Sequence, residues 1–247
     1  MSLLVLSLAA FAPSQTPEPR SHLALAQTLD PGFALAAHRW IDVDGDKRAE
    51  LVLFGRTGEV RTYTHAAGTP DFAAQPIGTL QLPDPRHTLI DAARLLGDAG
   101  SLQLLCASPA GLQLYALDEH GAFAATAEAL VARARFTLRV GKPTLADLAQ
   151  DVNNDGQPDL VLPGPQTCEL WLNEGLPPVT GTGTARWPAW RKAATVAVEL
   201  ASSSVRENED LSNVLSSSFT IPALSTRDVN GDKRPDLLVV EGERRGF

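Results

Sequence analysis

Three short segments of the chain bring acidic and amide side chains together at the same spacing. They read DVDGDKRAELVLFG from Asp42, DVNNDGQPDLVLPG from Asp151 and DVNGDKRPDLLVVEG from Asp228. Each has an oxygen-bearing side chain at its first, third, fifth and ninth positions, followed by a run of Leu and Val. Carboxylates held this close repel one another unless a hard divalent cation neutralises them, so the spacing predicts metal sites.

Calcium suits these segments best, because it accepts about six to eight oxygen ligands in flexible geometry. A loop supplies such a set from its side chains and one backbone carbonyl. Magnesium fits less well, since it requires a stricter octahedron and retains its waters. The predicted ligands are Asp42, Asp44, Asp46, Glu50 and the Arg48 carbonyl in the first segment, Asp151, Asn153, Asp155, Asp159 and the Gln157 carbonyl in the second, and Asp228, Asn230, Asp232, Asp236 and the Arg234 carbonyl in the third.

Two other interpretations of the acidic segments are an EF-hand or dockerin loop and a turn without metal. An EF-hand or dockerin loop requires a carboxylate at position twelve, where this chain has Leu53, Leu162 or Val239. A solvated turn without metal also favours Asp, Asn and Gly. Metal binding is favoured because all three copies keep an acid at the ninth position. It is favoured least in the first segment, since Glu50 is longer than an aspartate.

The segments belong to a longer pattern that repeats along the chain. Each is preceded by a short apolar stretch. In the first segment, the second segment and the degenerate copy described next, two strand-like runs follow, the second ending near Tyr63, Trp171 and Tyr115 respectively. A degenerate copy begins near residue 93, where Ala93 replaces the first acid and Ser101 the ninth. Repeats therefore start near residues 42, 93, 151 and 228, with three or four strands each, which predicts an all-β fold. Residues 122–136 have helix propensity but lie where outer strands are expected.

This pattern resembles the FG-GAP/VCBS repeats of β-propellers, in the style of secreted bacterial proteins, over roughly residues 35–247. The most specific feature is the acidic loop that ends in Asp-Leu or Glu-Leu and enters a strand. Phe54-Gly55 follows its loop, unlike the integrin version of the repeat. The resemblance implies propeller blades with one calcium ion in each complete loop, about three in all. It also implies more blades than four repeats and an incomplete last one, so we expect a partial arc completed by further sequence or by a partner.

The N-terminal residues predict export. Residues 1–20 are interpreted as a signal peptide and linker, because Leu3 to Ala12 is apolar and too short to span a bilayer. The propeller region is then 21–247, and the protein is secreted, periplasmic or on the cell surface. Cys106 and Cys168 are compatible with one disulfide or with two separate buried thiols.

Composition and motifs narrow the function. A formal net charge of −8 without a basic run argues against a nucleic-acid or anionic-membrane binder. None of the five histidines has zinc spacing, and no P-loop, nucleophile-elbow or dinucleotide motif is present. We therefore expect a non-catalytic calcium-binding module for extracellular adhesion or binding to a protein or glycan. The alternative is a carbohydrate-active protein that uses Trp187, Trp190, Arg191 and Lys192, in the long insert 176–219.

Overall fold

The computed structural model describes residues 27–69, 71–97, 101–118, 121–164, 167–177, 187–197 and 223–240. The predicted signal peptide and linker, residues 1–20, lie outside these ranges, as does most of the predicted insert. Of that insert, residues 187–197 are described and contribute a strand.

The described residues form strands and one short 3-10 helix, Pro85–His87, with no α-helix among them. The predicted all-β class is confirmed. Residues 122–136, ambiguous from sequence, contribute strand β8. The strands are β1 Leu35–Ile41, β2 Glu50–Gly55, β3 Glu59–Tyr63, β4 Gly78–Gln81, β5 Leu89–Ala93, β6 Gln103–Ser108, β7 Gly111–Ala116, β8 Glu128–Val131, β9 Thr144–Leu145, β10 Ala149–Gln150, β11 Asp159–Pro163, β12 Thr167–Asn173, β13 Trp190–Ala197, β14 Ala223–Arg227 and β15 Asp236–Val240.

The strands pair mainly with their neighbours in sequence and make four sheets. The first sheet has the order β1-β2-β3-β4, the third β10-β11-β12-β13, and the fourth contains β14 and β15. The second has the order β8-β7-β6-β5-β9, in which β9 runs parallel to β5 and every other pair is antiparallel. Short connections of this kind build antiparallel meanders. No helix of the described chain is long and apolar enough to cross a membrane.

Apolar cores join consecutive sheets face to face. Side chains alternate between the two faces of a strand, so neighbouring residues of β6 contact different sheets. Leu104 and Cys106 pack in the core shared with the first sheet, while Leu105 and Ala107 pack in the core shared with the third. The partners across these two cores are Val52 and Phe54 of β2, and Leu160 and Leu162 of β11.

Smaller clusters cover the remaining faces. Val161 and Cys168 of the third sheet pack with Leu237 of the fourth. The outer face of the first sheet presents Leu51, Leu53 and Tyr63. Leu29 and Phe33, from the segment before β1, and Phe72, from the loop after β3, pack against them. The second sheet lies between the two larger cores, so other sheets cover both of its faces.

A buried carboxylate, Asp91 of β5, links three sheets. It accepts hydrogen bonds from Arg39 Nη1 of β1 at 2.8 Å and from the backbone N–H groups of Leu148 and Ala149 at 2.7 and 2.9 Å. The N–H of Ala92 is a fourth donor, at 2.7 Å. Burial raises the pKa of Asp91, and its hydrogen bonds and Arg39 oppose that rise.

Cys106 and Cys168 are both free thiols and both buried. They lie in different cores, one between the first two sheets and the other between the last two. Burial raises the pKa of both thiols, that of Cys168 to about 12, so both stay protonated at neutral pH. Of the two arrangements that the sequence allowed, the structure has separate buried thiols.

Candidate metal centres

The three acidic segments occupy the same place in their sheets. We name them the first acid loop (residues 42–50), the second (151–159) and the third (228–236). Each connects the first strand of its sheet to the second: β1 to β2, β10 to β11, and β14 to β15. The strand pairing on either side therefore fixes both ends of every loop.

The first aspartate of each loop accepts two backbone N–H groups from the turn that follows it. Asp42 accepts those of Gly45 at 2.6 Å and Lys47 at 3.0 Å. Asp228 makes the same pair of bonds with Gly231 at 2.6 Å and Lys233 at 2.9 Å. Asp151 accepts from residues 155 and 156, at 3.1 and 2.9 Å. These bonds wrap the loop around its first carboxylate.

The third and fifth positions repeat one further motif. In the first loop, Asp44 Oδ1 accepts the Asp46 N–H at 3.0 Å, and Asp46 Oδ1 accepts the Arg48 N–H at 2.7 Å. The second and third loops have the same two bonds, with an amide oxygen at the third position. In such turns, the side chain accepts a hydrogen bond from the backbone two residues further on, which fixes its orientation relative to the loop.

Two positions in every loop have a left-handed backbone. The fourth and sixth residues adopt φ between 61° and 87°, a region that favours glycine. Glycine fills the fourth position of the first and third loops and the sixth of the second. The residues concerned are Gly45, Lys47, Asn154, Gly156, Gly231 and Lys233. Different glycine placements therefore produce one backbone shape.

The ninth-position acid closes the loop. Glu50, Asp159 and Asp236 accept the N–H of the valine at the second position, at 2.6, 3.1 and 2.9 Å. Asp159 also accepts the Asn173 N–H of β12 at 2.8 Å. Glu50 and Asp159 are buried, and burial raises the pKa of each, with a smaller contribution from the loop's other acids. This clamping role was not predicted from the sequence.

The first loop has the tightest acidic cluster of the described chain. Ligand oxygens of Asp42, Asp44 and Glu50 all lie within 4.8 Å of one another. Two oxygens bound to one calcium ion lie at most about 5 Å apart, so these three fit a single ion. Each carboxylate offers about four lone-pair sites, and the N–H groups use only some of them. The acidic cluster is therefore able to hold a metal ion.

The second and third loops differ in charge. Asn153 and Asn230 replace the carboxylate at the third position, and their amide groups donate to the aspartate at the fifth, at 2.9 and 3.3 Å. An amide oxygen is still a ligand for calcium. Each of these loops carries three carboxylates instead of four, which lowers the repulsion in the ion-free state. The predicted carbonyl ligands, Arg48, Gln157 and Arg234, lie directly after the fifth-position turn.

The degenerate copy closes without an acid. There, Gln103 Oε1 accepts the Leu95 N–H at 3.0 Å, and Gln103 Nε2 donates to the Ser101 backbone carbonyl. Gln103 is fully buried and does the closing that the ninth-position acids do elsewhere. Ser101 had been expected to occupy that position. A glutamine within an apolar run was the sequence signal for the substitute.

The tryptophans of the alternative hypothesis are engaged in packing. Trp187 and Trp190 lie against the core between the second and third sheets, and Trp187 Nε1 donates to Glu128 at 2.6 Å. Lys192 pairs with Glu169 at 2.6 Å, and Arg191 with Glu174 at 2.5 Å. Both cations are therefore neutralised by neighbouring acids of β12 and its end.

Neither a comparison with models of known protein families nor one with curated proteins finds a match for this chain.

Proposed function

We propose that this chain is a calcium-binding, non-catalytic β-propeller module that acts outside the cytoplasm. Its support is the hydrogen-bond pattern common to the three acid loops. In each, backbone N–H groups donate to the side-chain oxygens of the first, third and fifth positions, and the ninth-position acid closes the loop. Calcium would be structural, neutralising each loop and tying the first two strands of its sheet together.

The sheets favour the propeller arc. The three fuller sheets each contain a four-stranded antiparallel meander, which is the content of a propeller blade. They pack face to face in chain order, as blades do, through the apolar cores described above. Within the part of the chain that the structure describes, the fourth sheet has two strands.

The acidic residues support a binding role rather than catalysis. A carboxylate held ionised by a metal is a poor general acid or base, and the loops account for most of the clustered carboxylates. An extracellular protein or glycan is the proposed partner, with the predicted signal peptide as the support for export. A carbohydrate-active function is the second proposal, but the contacts of Trp187, Arg191 and Lys192 favour packing.

The test is a thermal melt and calcium calorimetry on the whole chain and on Asp155→Asn. We expect about three sites in the wild-type protein. Each stabilises folding by about 2.7 kcal/mol when calcium is one hundred times its Kd. In Asp155→Asn the calcium-induced shift in Tm falls by about one site. The melt in chelator changes little, because asparagine retains the oxygen that accepts the Gln157 N–H and the bond lost from Asn153 is exposed to solvent.

Asp30→Asn is the matched control. Asp30 is exposed, lies outside the acid loops and accepts a single N–H, that of Gly32, at 2.8 Å. We expect it to leave the calcium response unchanged. Equal melting with calcium and with chelator, in all three proteins, would exclude the proposed metal sites.

A further inference from the structure

A buried asparagine at the end of β12 contacts the second acid loop from outside the loop. Asn173 is 4% exposed. Its Nδ2 donates to the carbonyl of Pro158, the eighth residue of the loop, at 3.2 Å. Its backbone N–H donates to Asp159 Oδ1 at 2.8 Å. Asn173 therefore holds two successive residues of the loop, and the second of them is the ninth-position acid.

The remaining contacts of Asn173 fix its side chain in the ion-free protein. Nδ2 also donates to the carbonyl of Leu95, which follows β5 in the second sheet, at 3.1 Å. Oδ1 accepts the Gly175 N–H at 2.9 Å. The amide group therefore uses both its nitrogen and its oxygen, and its orientation toward the loop is set by contacts with other parts of the chain.

His65 makes the corresponding contact in the first sheet. It stands two residues after Tyr63, as Asn173 stands two residues after Trp171. His65 Nε2 lies 3.3 Å from the carbonyl of Ala49, the eighth residue of the first acid loop. A carbonyl only accepts, so the imidazole donates this bond from Nε2. The first and second loops therefore each have a side-chain donor directed at the same backbone carbonyl.

The degenerate copy lacks this donor. The residue two positions after Tyr115 is Leu117, whose side chain packs in the core between the first and second sheets. The positions correspond in the backbone, because Leu117 forms an isolated antiparallel bridge with Phe123 as His65 does with Phe72. The donor is thus present beside two loops that keep their acids and absent beside the copy that has lost them, which indicates that it serves the acids.

We propose that Asn173 and His65 are positioning residues for calcium. Each holds the eighth-position carbonyl of its loop, and thereby keeps the adjacent ninth-position acid in place for the ion. The inference rests on the proposed calcium sites. Replacing a residue that orients metal ligands from outside the ligand set commonly lowers metal affinity by about 10- to 100-fold. A residue that served only the fold would change stability with and without calcium alike, and would leave the affinity unchanged.

Calcium calorimetry on Asn173→Leu, which introduces the side chain of the degenerate copy, tests the second loop. We expect one site to lose about 10-fold or more in affinity while the others are unchanged. In an Asp155→Asn background, where this site is already impaired, Asn173→Leu causes no further loss. Ser108→Ala is the matched control. Ser108 is also 4% exposed, and its hydroxyl accepts the Ala110 N–H in the turn between β6 and β7, outside the acid loops, so calcium affinity is unchanged.

Two substitutions of His65 test the first loop at a half-buried position. His65→Leu and His65→Asn both remove the ring that stacks on Phe72, with centroids 4.5 Å apart. Only His65→Asn keeps a donor, of the type that the third sheet uses at this position. We expect His65→Leu to weaken one calcium site and His65→Asn to retain an affinity close to that of the wild-type protein. Near-UV circular dichroism checks that each variant is folded.

Three results would overturn the positioning role. They are unchanged calcium affinity in both leucine variants, equal losses of affinity in His65→Asn and His65→Leu, and a loss of affinity in Ser108→Ala. Melts in chelator on the same samples separate stability from affinity, and if Asn173→Leu does not fold, the two His65 variants decide. A wild-type chain that binds no calcium contradicts the proposed function itself, whereas calcium sites whose affinity is indifferent to these substitutions contradict only the positioning role.

Discussion

At the scale of single residues, Asp91 is a buried carboxylate that connects strands of three sheets. Its two oxygens face four donors on three different sheets, and all four are N–H groups. Arg39 also reaches Asp147 at 3.0 Å, but that carboxylate is 71% exposed. The two aspartates therefore share one arginine and differ in burial, which makes them a matched pair.

We expect Asp91→Asn to lower the free energy of unfolding by about 1 to 3 kcal/mol, because its amide nitrogen would face a donor and leave a buried group unsatisfied. Asp147→Asn should change it by less than about 1 kcal/mol, as for an exposed ion pair. Urea unfolding of both variants measures the difference. Equal losses of unfolding free energy in Asp91→Asn and Asp147→Asn would show that the donors around Asp91 find other hydrogen-bond acceptors.

The ninth-position acids predict a pH dependence. Burial raises the pKa of Glu50 and Asp159 in the ion-free protein. Unfolded carboxyl groups titrate near pH ~4. The contribution of the two acids to folding is therefore complete below pH ~4 and is lost as pH rises through their raised folded pKa values. Bound calcium offsets the ionised charge, so the calcium-induced shift in Tm grows across this window.

Melts from acid to neutral pH, in calcium and in buffer freed of calcium on a chelating resin, measure this growth. Glu50→Gln is the control, since it keeps an oxygen for the Val43 N–H and does not titrate. Glu50→Gln should reduce the change with pH of the calcium-induced shift in Tm. A wild-type shift that is the same at every pH would contradict the assignment.

At the scale of elements, the acid loops are specified by backbone shape as well as by charge. Their fourth and sixth residues are left-handed in all three copies, although glycine occupies different positions. A Cβ at Gly156 would meet no atom within 4 Å, so a substitution there changes stability only through the cost of the left-handed backbone conformation. Lys233 adopts φ 66° at the equivalent position of the third loop, so the wild-type protein already has the conformational cost of a side chain in the left-handed region there.

Gly156→Ala should destabilise the chain by about 1 to 2 kcal/mol, the cost of a side chain in the left-handed region. Lys233→Gly should recover up to about 1 kcal/mol of the same cost, offset by the entropy of glycine in the unfolded chain. Chemical unfolding in calcium-free buffer measures both. Changes of the same sign in the two variants would contradict a common loop shape.

At the scale of the whole molecule, the stack of sheets predicts unequal local stability. Both faces of the second sheet lie against other sheets, through Leu104 on one side and Leu105 on the other. The fourth sheet is described as two strands, and Val229, in the loop that joins them, is exposed. Local opening depends on how much apolar contact an element loses when it opens.

Hydrogen exchange should therefore be slowest in β6 and markedly faster in β15. Mass spectrometry measures both strands in one experiment. The third sheet should be intermediate. Protection of β15 equal to that of β6 would contradict the stack as the source of stability.

Much of this protein is determined locally, and so could be predicted from sequence. Alternating Leu and Val runs predict the strands. The acids at positions 42, 44, 46 and 50 predict a shared site, because a loop of nine residues brings its own side chains together, and the structure groups Asp42, Asp44 and Glu50. Only the tertiary structure decided what lies between distant segments: the donors that Arg39, Leu148 and Ala149 bring to Asp91, and the separation of Cys106 from Cys168. Such contacts join residues far apart in the chain, and their partners are chosen by sheet packing rather than by spacing.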